Sequence, residues 1–444
     1  MVDSGRGTSA FAGVDNVTHG LAGLLVADAA VHWLERRGVT VAPRQRRTLS
    51  VLGVVAAEFP DSDLIYSGPL LDMGPLGYLL HHRGHTHTLL WAVVSALLLW
   101  LVARWYAGRD GASVPARLPR ALLLVALTGT LSHILLDWTN SYGVHPFWPL
   151  NGRWYYGDAV FIVEPWLWLV AIPPLYWNRP GAFGRSVLVF CFVAILAAVL
   201  LLGQVAGEVV AVLLVFAVLW PLVQWRLRAP TRTWSGMGTW ALITVAFFAA
   251  SRTAEASVRE AVAASRVGSG GEAVVLDVVL TPGPGDWGCW SALVMSRSPD
   301  AYTVSSAFVA PFPAVRSLAR CTAGYRTGRV GGDVLSGLRA HRAPVFSPSA
   351  KVAWRSSWST PLPSLAALAR SRCEVDAALH FMRAPVWQSL DNGRLLLSDA
   401  RFGVGGGGFS EIELPTAGAC TLRAPWIPGW VPPRTELLRT ELLR

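Results

Sequence analysis

Histidines and carboxylates recur in short clusters through the N-terminal part of the chain. The clusters are His19 in DNVTHG, Asp61 and Asp63 in FPDSD, His82, Arg83 and His87 in HHRGHTHT, His133 and Asp137 in SHILLD, and Asp158 and Glu164 in GDAVFIVEP. Imidazole and carboxylate ligands with no nearby cysteine suit Zn, Mn or Fe rather than a soft-metal site. The clusters therefore predict a divalent metal site with one or two ions, for which zinc is favoured and manganese or iron also fit.

The SHILLD cluster has the spacing of a helical ligand pair. His133 and Asp137 are four residues apart, so on a helix both side chains project from one face. That spacing suits two ligands of one ion, or a ligand and the carboxylate that orients it. A lone pair of this kind is more often a hydrogen-bonded structural pair, FPDSD alone could be a capped turn, and HHRGHTHT alone could be a solvated segment. Their joint occurrence at one membrane face favours a metal.

The composition favours a bilayer as the solvent of this chain. Of 444 residues, 52% are hydrophobic and 15% are charged, whereas soluble domains are about a quarter charged. The net charge of +10 comes largely from arginines in short loops between apolar runs, which indicates membrane topology and no nucleic-acid partner. Residues 1–16 have no apolar stretch, so no cleavable signal peptide is expected.

Eight apolar runs predict an α-helical membrane bundle of about eight spans. The runs are 17–34, 49–66, 88–106, 119–138, 158–178, 185–203, 205–225 and 236–252. The second is the weakest and could be a half-span or an interfacial helix. Arginines crowd every other loop, and the alternate loops hold only Arg83 and Arg153. The positive-inside rule then predicts an inner-membrane protein with both termini outside and all the polar clusters at the outer interface.

The composition changes after residue 250 to that of a soluble domain. Runs at 273–280, 292–297, 302–309 and 394–402 are β-prone and bounded by turn residues. They predict a β-rich extracytoplasmic domain at 253–434, after a membrane domain at 1–252 and before a tail at 435–444. Four cysteines fall in this domain, at Cys289, Cys321, Cys373 and Cys420, and two disulfides are expected outside the cytoplasm.

Taken in order, DNVTHG, FPDSD, HRGHTHT, SHILLD with the following T, SYG and WP, and GDAVFIVEP resemble the signatures of the YdjM-type family of predicted membrane-bound metal-dependent hydrolases. The resemblance covers residues 11–170, and FMRAPVW and LLLSDARF near 381–402 resemble the tail segment of larger members. It implies that the recurring polar positions are His19, Asp61, Asp63, His82, His87, His133 and Asp137. It leaves out His81, His85 and His145. Glu164 departs from the family, in which Asp is usual before that proline.

The favoured function is a membrane-embedded metal-dependent hydrolase that opens outward and uses metal-activated water. The helical His–xxx–Asp pattern is also similar to that of zinc phospholipase C and P1-type nucleases, which points to phosphoesters in a small-molecule or lipid substrate. Arg83 would stabilise developing negative charge, unless it is only a headgroup-level arginine, and Asp158 or Glu164 would be a base or orient a ligand. The membrane lipid is the one partner expected, and the oligomeric state stays open.

Two other functions remain open. A non-enzymatic metal-binding protein or transporter is the first, although a transport path should continue through polar residues in several spans, and spans six to eight have almost none. In the second, the membrane part only anchors the β-rich domain, which leaves the clustered histidines unexplained.

Overall fold

The computed structural model describes residues 8–67, 74–109, 114–269, 274–324 and 333–415, together with Pro428 and Trp430. Within these ranges the N-terminal part is helical. Its helices are α1 (Thr8–Arg36), α2 (Pro43–Glu58), α3 (Leu64–Ser67), α4 (Gly74–His81), α5 (Leu89–Gly108), α6 (Leu118–Trp138), α7 (Pro165–Asn178), α8 (Ala182–Leu201), α9 (Gly207–Arg226) and α10 (Ala229–Ser269). Single 3₁₀ turns at Phe59–Asp63 and His85–His87 connect several of them.

Six helices in the described part of the chain are long and apolar enough to cross a membrane. They are α1, α5, α6, α8, α9 and α10, which correspond to predicted spans one, three, four, six, seven and eight. Their outer faces carry large apolar side chains that water would disfavour, such as Leu98 at 52%, Phe190 at 73% and Val218 at 61% exposure. A bilayer satisfies such faces.

The other two predicted spans are shorter than expected. Helix α2 ends at Glu58, where a 3₁₀ turn begins, and the run at 158–178 is helical only from Pro165. At about 1.5 Å per residue these helices are roughly 24 and 21 Å long, against about 30 Å of hydrocarbon. The polar backbone beyond them is packed against protein, where irregular structure is tolerated. The count of eight full spans is therefore not confirmed.

Glycines bring α1, α2 and α6 into backbone contact. A Cβ added to Gly23 would lie 2.1 Å from the carbonyl oxygen of Gly53, and one added to Gly53 would lie 2.3 Å from that of Gly23. A Cβ on Gly129 of α6 would lie 2.7 Å from the Cβ of Ala56. Small residues permit this approach in membranes, where close van der Waals packing drives helix association. The three helices that carry or adjoin the polar clusters are therefore packed in close contact.

The predicted arginine-rich loops meet at one end of the bundle. Arg117 Nη1 donates to the carbonyl oxygen of Arg37 at 3.4 Å, and Arg232 Nη1 donates to that of Trp177 at 3.4 Å. These contacts join the loops that the charge count had grouped. The polar clusters lie at the opposite end. Which end faces the cytoplasm stays a prediction.

The C-terminal part is a two-sheet antiparallel domain. Its first sheet has the order β1 (Val274–Gly283), β2 (Asp286–Arg297), β3 (Ala301–Val309) and β4 (Val352–Pro361), and its second has β5 (Pro385–Ser389), β6 (Arg394–Asp399) and β7 (Ile412–Pro415). Short helices α11 (Leu318–Gly324), α12 (Leu362–Ser371) and α13 (Cys373–Leu379) lie between the strands. The four β-prone runs fall in β1, β2, β3 and β6.

Helix α10 joins the two parts without a break. It has 41 residues, about 60 Å at 1.5 Å per residue, which is twice the hydrocarbon thickness. Beyond the membrane-length portion, Ala254 and Val258 pack with Val278 and Trp290 of the first sheet. The predicted boundary at 252/253 therefore falls inside a continuous helix.

The cysteine prediction is confirmed for one pair. Cys289 and Cys321 form a disulfide, Cys373 is also disulfide-bonded, and Cys191 is a free thiol. Cys420 and the predicted tail at 435–444 lie outside the described residues.

Candidate metal centre

The polar clusters converge at one end of the bundle, as the sequence predicted. His19 comes from α1, Asp61 and Asp63 from the 3₁₀ turn after α2, His82 and Arg83 from the turn after α4, His87 from the next 3₁₀ turn, and His133 and Asp137 from the last turns of α6. Most of these side chains are fully buried, with 1% exposure or less for His19, Asp63, His87, His133 and Asp137. Burying so many ionisable groups is costly unless they are paired or bind an ion.

The glycine contact explains why distant histidines meet. His19, Ala57 and His133 each lie one helical turn beyond one of the three contacting glycines, on the same faces. The rings of His19 and His133 stack with centroids 3.8 Å apart. His133 Nδ1 donates to the carbonyl oxygen of Ala57 at 2.6 Å. That bond leaves Nε2 as the acceptor nitrogen and turns it into the cluster, as a ligand's supporting bond does.

Four side chains form a group that could hold a metal ion: Asp61, His87, His133 and Asp137. His87 Nε2 lies 3.0 Å from Asp137 Oδ2, 3.1 Å from His133 Nε2 and 3.3 Å from Asp61 Oδ1. His133 Nε2 lies 3.3 Å from Asp61 Oδ1 and 3.4 Å from Asp137 Oδ2. A tetrahedral zinc site with bonds of about 2.0–2.2 Å spaces its ligand atoms roughly 3.3–3.6 Å apart. The observed separations of 3.0–3.4 Å overlap the lower end of that range, and the donor types suit such an ion.

A second, overlapping group consists of Asp61, Asp63 and His82. Asp63 Oδ1 lies 3.1 Å from His82 Nδ1, while its Oδ2 accepts from the backbone N–H of Arg83 at 2.9 Å and from Thr86 Oγ1 at 2.8 Å. These bonds fix the Asp63 carboxylate and the turn that carries His82 and His87. Asp61 belongs to both groups, so its carboxylate is the one that they share.

His19 and Arg83 approach the cluster through Asp137. Asp137 Oδ1 lies 3.4 Å from His19 Nε2 and 2.7 Å from Arg83 Nη2. The guanidinium of Arg83 also stacks 4.4 Å from the ring centroid of Tyr142 and donates to Asn140 Oδ1 at 3.2 Å. Arg83 is only 2% exposed, so it is a buried neighbour of the cluster. Its role in stabilising charge stays a prediction.

Two histidines at this end have opposite electrostatic surroundings. Burial favours the neutral form of His87, but hydrogen bonds with Asp137, Asp61 and Asp63 outweigh burial and raise its pKa well above the usual value. Burial lowers the pKa of His145 to about 3, and that ring packs against Trp154 and Trp430. The carboxylates thus attract positive charge to the cluster, whereas His145 is a neutral packing residue, in line with its omission from the ligand set.

Asp158 and Glu164 lie outside both metal-capable groups. Asp158 Oδ1 accepts from Arg383 Nη1 at 2.8 Å. Glu164 caps α7 by accepting from the backbone N–H of Trp166 at 3.2 Å, and it also accepts from the backbone N–H of Gly285, in the β1–β2 turn, at 3.2 Å. Both carboxylates therefore attach the C-terminal domain. That either acts as a base or orients a ligand stays a prediction, and these contacts favour a positioning role.

Sequence reasoning missed the arginines that dock the C-terminal domain beside the cluster. Arg383, in FMRAPVW, pairs with Asp277 at 2.6 Å as well as with Asp158. Arg401, in LLLSDARF, donates from Nη1 to the carbonyl oxygens of Ser141 and Tyr142 at 2.6 and 3.1 Å. The only sequence signal for these arginines was the resemblance of the two segments to the tail of larger family members, and that resemblance assigned no function to either residue.

Comparison with known proteins supports the family and leaves the chemistry open. Residues 14–207 match the family model described as YdjM inner membrane protein. This confirms the family resemblance, and every predicted metal ligand lies in the matched stretch. No curated protein and no solved structure matches the chain. The family match and the apolar helices indicate a multi-pass membrane protein with a cluster that could bind a metal ion.

Proposed function

We propose that this protein is a membrane-embedded metal-dependent hydrolase that acts on phosphoesters or lipid-like substrates. The main observation that supports this proposal is the group of four side chains, Asp61, His87, His133 and Asp137. Their possible ligand atoms come from three separate elements and lie within 4.8 Å of one another. Structural pairs satisfy each other two at a time, whereas here one nitrogen of His87 faces three other ligand atoms. Such convergence on one centre is typical of an ion site.

These four residues would hold the ion, with zinc favoured and manganese or iron also suited to the donors. Asp63, His82 and His19 surround them and would orient the ligands or hold a second ion. When bound, the metal would supply Lewis acidity and lower the pKa of water. With a side-chain exposure of 12%, Asp61 marks the side from which water and substrate can approach.

Arg83 supports an anionic substrate or transition state. Its guanidinium is buried, is fixed by Asp137, Asn140 and Tyr142, and is next to a candidate ligand. A preorganised cation at such a position stabilises the charge that develops on a phosphoryl group.

Metal analysis of the purified, detergent-solubilised protein tests the site. We expect stoichiometric metal in the wild-type protein and in His145→Ala and His341→Ala, and a loss of metal in His133→Ala and Asp137→Asn. Stoichiometric metal in the His133→Ala/Asp137→Asn double variant would reject the site. Hydrolysis of phosphodiester and phospholipid substrates by the wild-type protein, lost with the metal, would support the enzyme. Metal without hydrolysis of any ester, phosphoester or amide substrate would favour a transporter or a binding protein.

We also propose that the metal-centre end and the C-terminal domain face outward. The arginine-rich loops gather at the other end, and disulfides form in oxidising compartments. Arg109→Cys and Ser347→Cys, each in a Cys191→Ser background, test this by labelling with a membrane-impermeant thiol reagent. Ser347→Cys should label in intact cells and Arg109→Cys only after permeabilisation. The reverse pattern would invert the topology.

A further inference from the structure

A cavity of about 320 Å³ opens between α2 and α5, at the arginine-rich end of the bundle. This end lies opposite the candidate metal centre, and the proposed hydrolase does not use it. The lining has two chemical parts. Its polar part is Arg44, Arg47, Thr48 and Tyr106, and the rest is apolar, with Val51, Val55, Leu99 and Val102 among its residues.

The lining changes from polar to apolar along the helices, as a lipid leaflet changes from headgroups to acyl chains. On α2, Arg44, Arg47, Val51 and Val55 follow one face at helical spacing, and they pass from cationic to apolar. From residue 44 to residue 55 the helix rises about 16 Å, close to half of the roughly 30 Å hydrocarbon thickness. Helix α5 runs the other way and brings Tyr106 to the same polar end. The cavity is therefore as deep as one lipid leaflet.

The polar end is built to attract an anion. Arg44 is held in place, because its Nη2 donates to the carbonyl oxygen of Tyr106 at 3.0 Å and its guanidinium stacks 4.9 Å from that ring. Arg47 is exposed beside it. The nearby Glu35 pairs with Arg46 instead, and no acidic residue occurs among the described residues that line the cavity. Two arginines at headgroup depth can donate paired hydrogen bonds to the oxygens of a lipid phosphate.

The apolar part opens sideways, where lipid chains lie. Val51 is 53% exposed, Val55 40% and Val102 58%, and all three face out of the bundle. A soluble anion would use the arginines and leave this groove empty, whereas a diacyl lipid would fill both parts. The combination of a cationic rim and a leaflet-deep apolar groove selects the lipid.

We propose that the cavity between α2 and α5 binds an anionic phospholipid of the adjacent leaflet. The phosphate contacts Arg44 and Arg47, and one acyl chain lies in the groove along Val51, Val55 and Leu99. This lipid is a bound structural ligand. The proposal is independent of the metal centre and of hydrolysis.

The headgroup part is tested by titrating phosphatidylglycerol into delipidated, detergent-solubilised protein and counting bound lipids by native mass spectrometry. Phosphatidylcholine, glycerol 3-phosphate and inorganic phosphate are the comparison ligands. An arginine in contact with an anionic headgroup contributes about fivefold to lipid affinity, so Arg44→Gln/Arg47→Gln should weaken phosphatidylglycerol binding by about 25-fold. The double variant Arg226→Gln/Arg228→Gln removes the same charge at the same end, outside the cavity, and should retain wild-type affinity.

The acyl part is tested with Val55→Trp, which fills the groove, against Leu101→Trp, which adds the same ring to a lipid-facing position outside it. Val55→Trp should reduce phosphatidylglycerol binding at least fivefold, and Leu101→Trp should not. An unchanged helical circular-dichroism spectrum and an unchanged elution volume on size-exclusion chromatography show that each variant is folded. Equal binding of phosphatidylcholine and phosphatidylglycerol, equal losses in the control pair, or saturation by inorganic phosphate would each overturn the proposal.

Discussion

Two sets of buried carboxylates lie at the same end of the bundle and differ in their partners. Asp61 and Asp137 face imidazole nitrogens from other elements, and Asp137 also contacts Arg83, whereas the partners of Asp158 and Glu164 are Arg383 and backbone N–H groups. An imidazole nitrogen can give up its proton and bind an ion in its place. An arginine or a capping N–H cannot. Residue type and membrane depth therefore do not identify a candidate ligand by themselves; a neighbouring imidazole from another element does.

The largest expected effect is a loss of metal affinity, and it should occur in the first set of carboxylates but not in the second. Asp61→Asn should weaken metal binding by more than about 100-fold, since loss of even a residue that only supports a ligand costs about 10–100-fold. Glu164→Gln should change metal affinity less than about threefold. Competition with a chromophoric chelator measures both variants. Similar losses in the two variants would show that Glu164 belongs to the metal site and would remove the distinction.

The next largest effect is expected on the stability of the C-terminal domain, and it concerns the second set of carboxylates alone. Arg383→Gln leaves Asp158 and Asp277 without their buried cation, and breaking a buried pair costs about 3–5 kcal/mol. The C-terminal domain should then unfold at lower temperature and become sensitive to protease, while bound metal stays near the wild-type level. Arg394→Gln is the control, because Arg394 and Glu413 form an exposed pair worth about 0–1 kcal/mol. Metal loss in Arg383→Gln without destabilisation would contradict the assignment.

A smaller loss of stability is expected when a methyl group is added at the contact between α1 and α2. Gly23→Ala places a methyl group against the carbonyl oxygen of Gly53, and overpacking costs about 1–3 kcal/mol. The shift of α1 should also weaken metal binding, because His19 stacks on His133. Gly238→Ala is a helical control with nothing within 4 Å of the new Cβ, so its stability should stay the same or rise, since alanine favours a helix. Equal behaviour of the two variants would exclude the glycine contact as the support of the site.

The sequence predicted most of what local composition encodes. Hydropathy identified six helices of membrane length, arginine counts grouped the loops that meet at one end, and β-prone runs located four strands. It was less accurate where a polar segment is packed against protein. FPDSD ends α2 early because Asp63 is bound by the turn that carries His82 and Arg83, and no property of residues 49–66 alone contains that partner.

By itself, the sequence determined which polar clusters and which arginine-rich loops gather at the same end of the bundle, because hydrophobic length and charge act on each segment separately. Only the tertiary structure decided which of the carboxylates share a centre. Asp61, His87 and His133 come from separate elements, and their separations of 3.1–3.3 Å depend on how closely α1, α2 and α6 approach at their glycines. Tertiary packing also buries Arg83 beside Asp137 and places Asp158 in an ion pair with Arg383. Those contacts join distant residues, so they arise from the packing of whole elements and not from the pattern of any one of them.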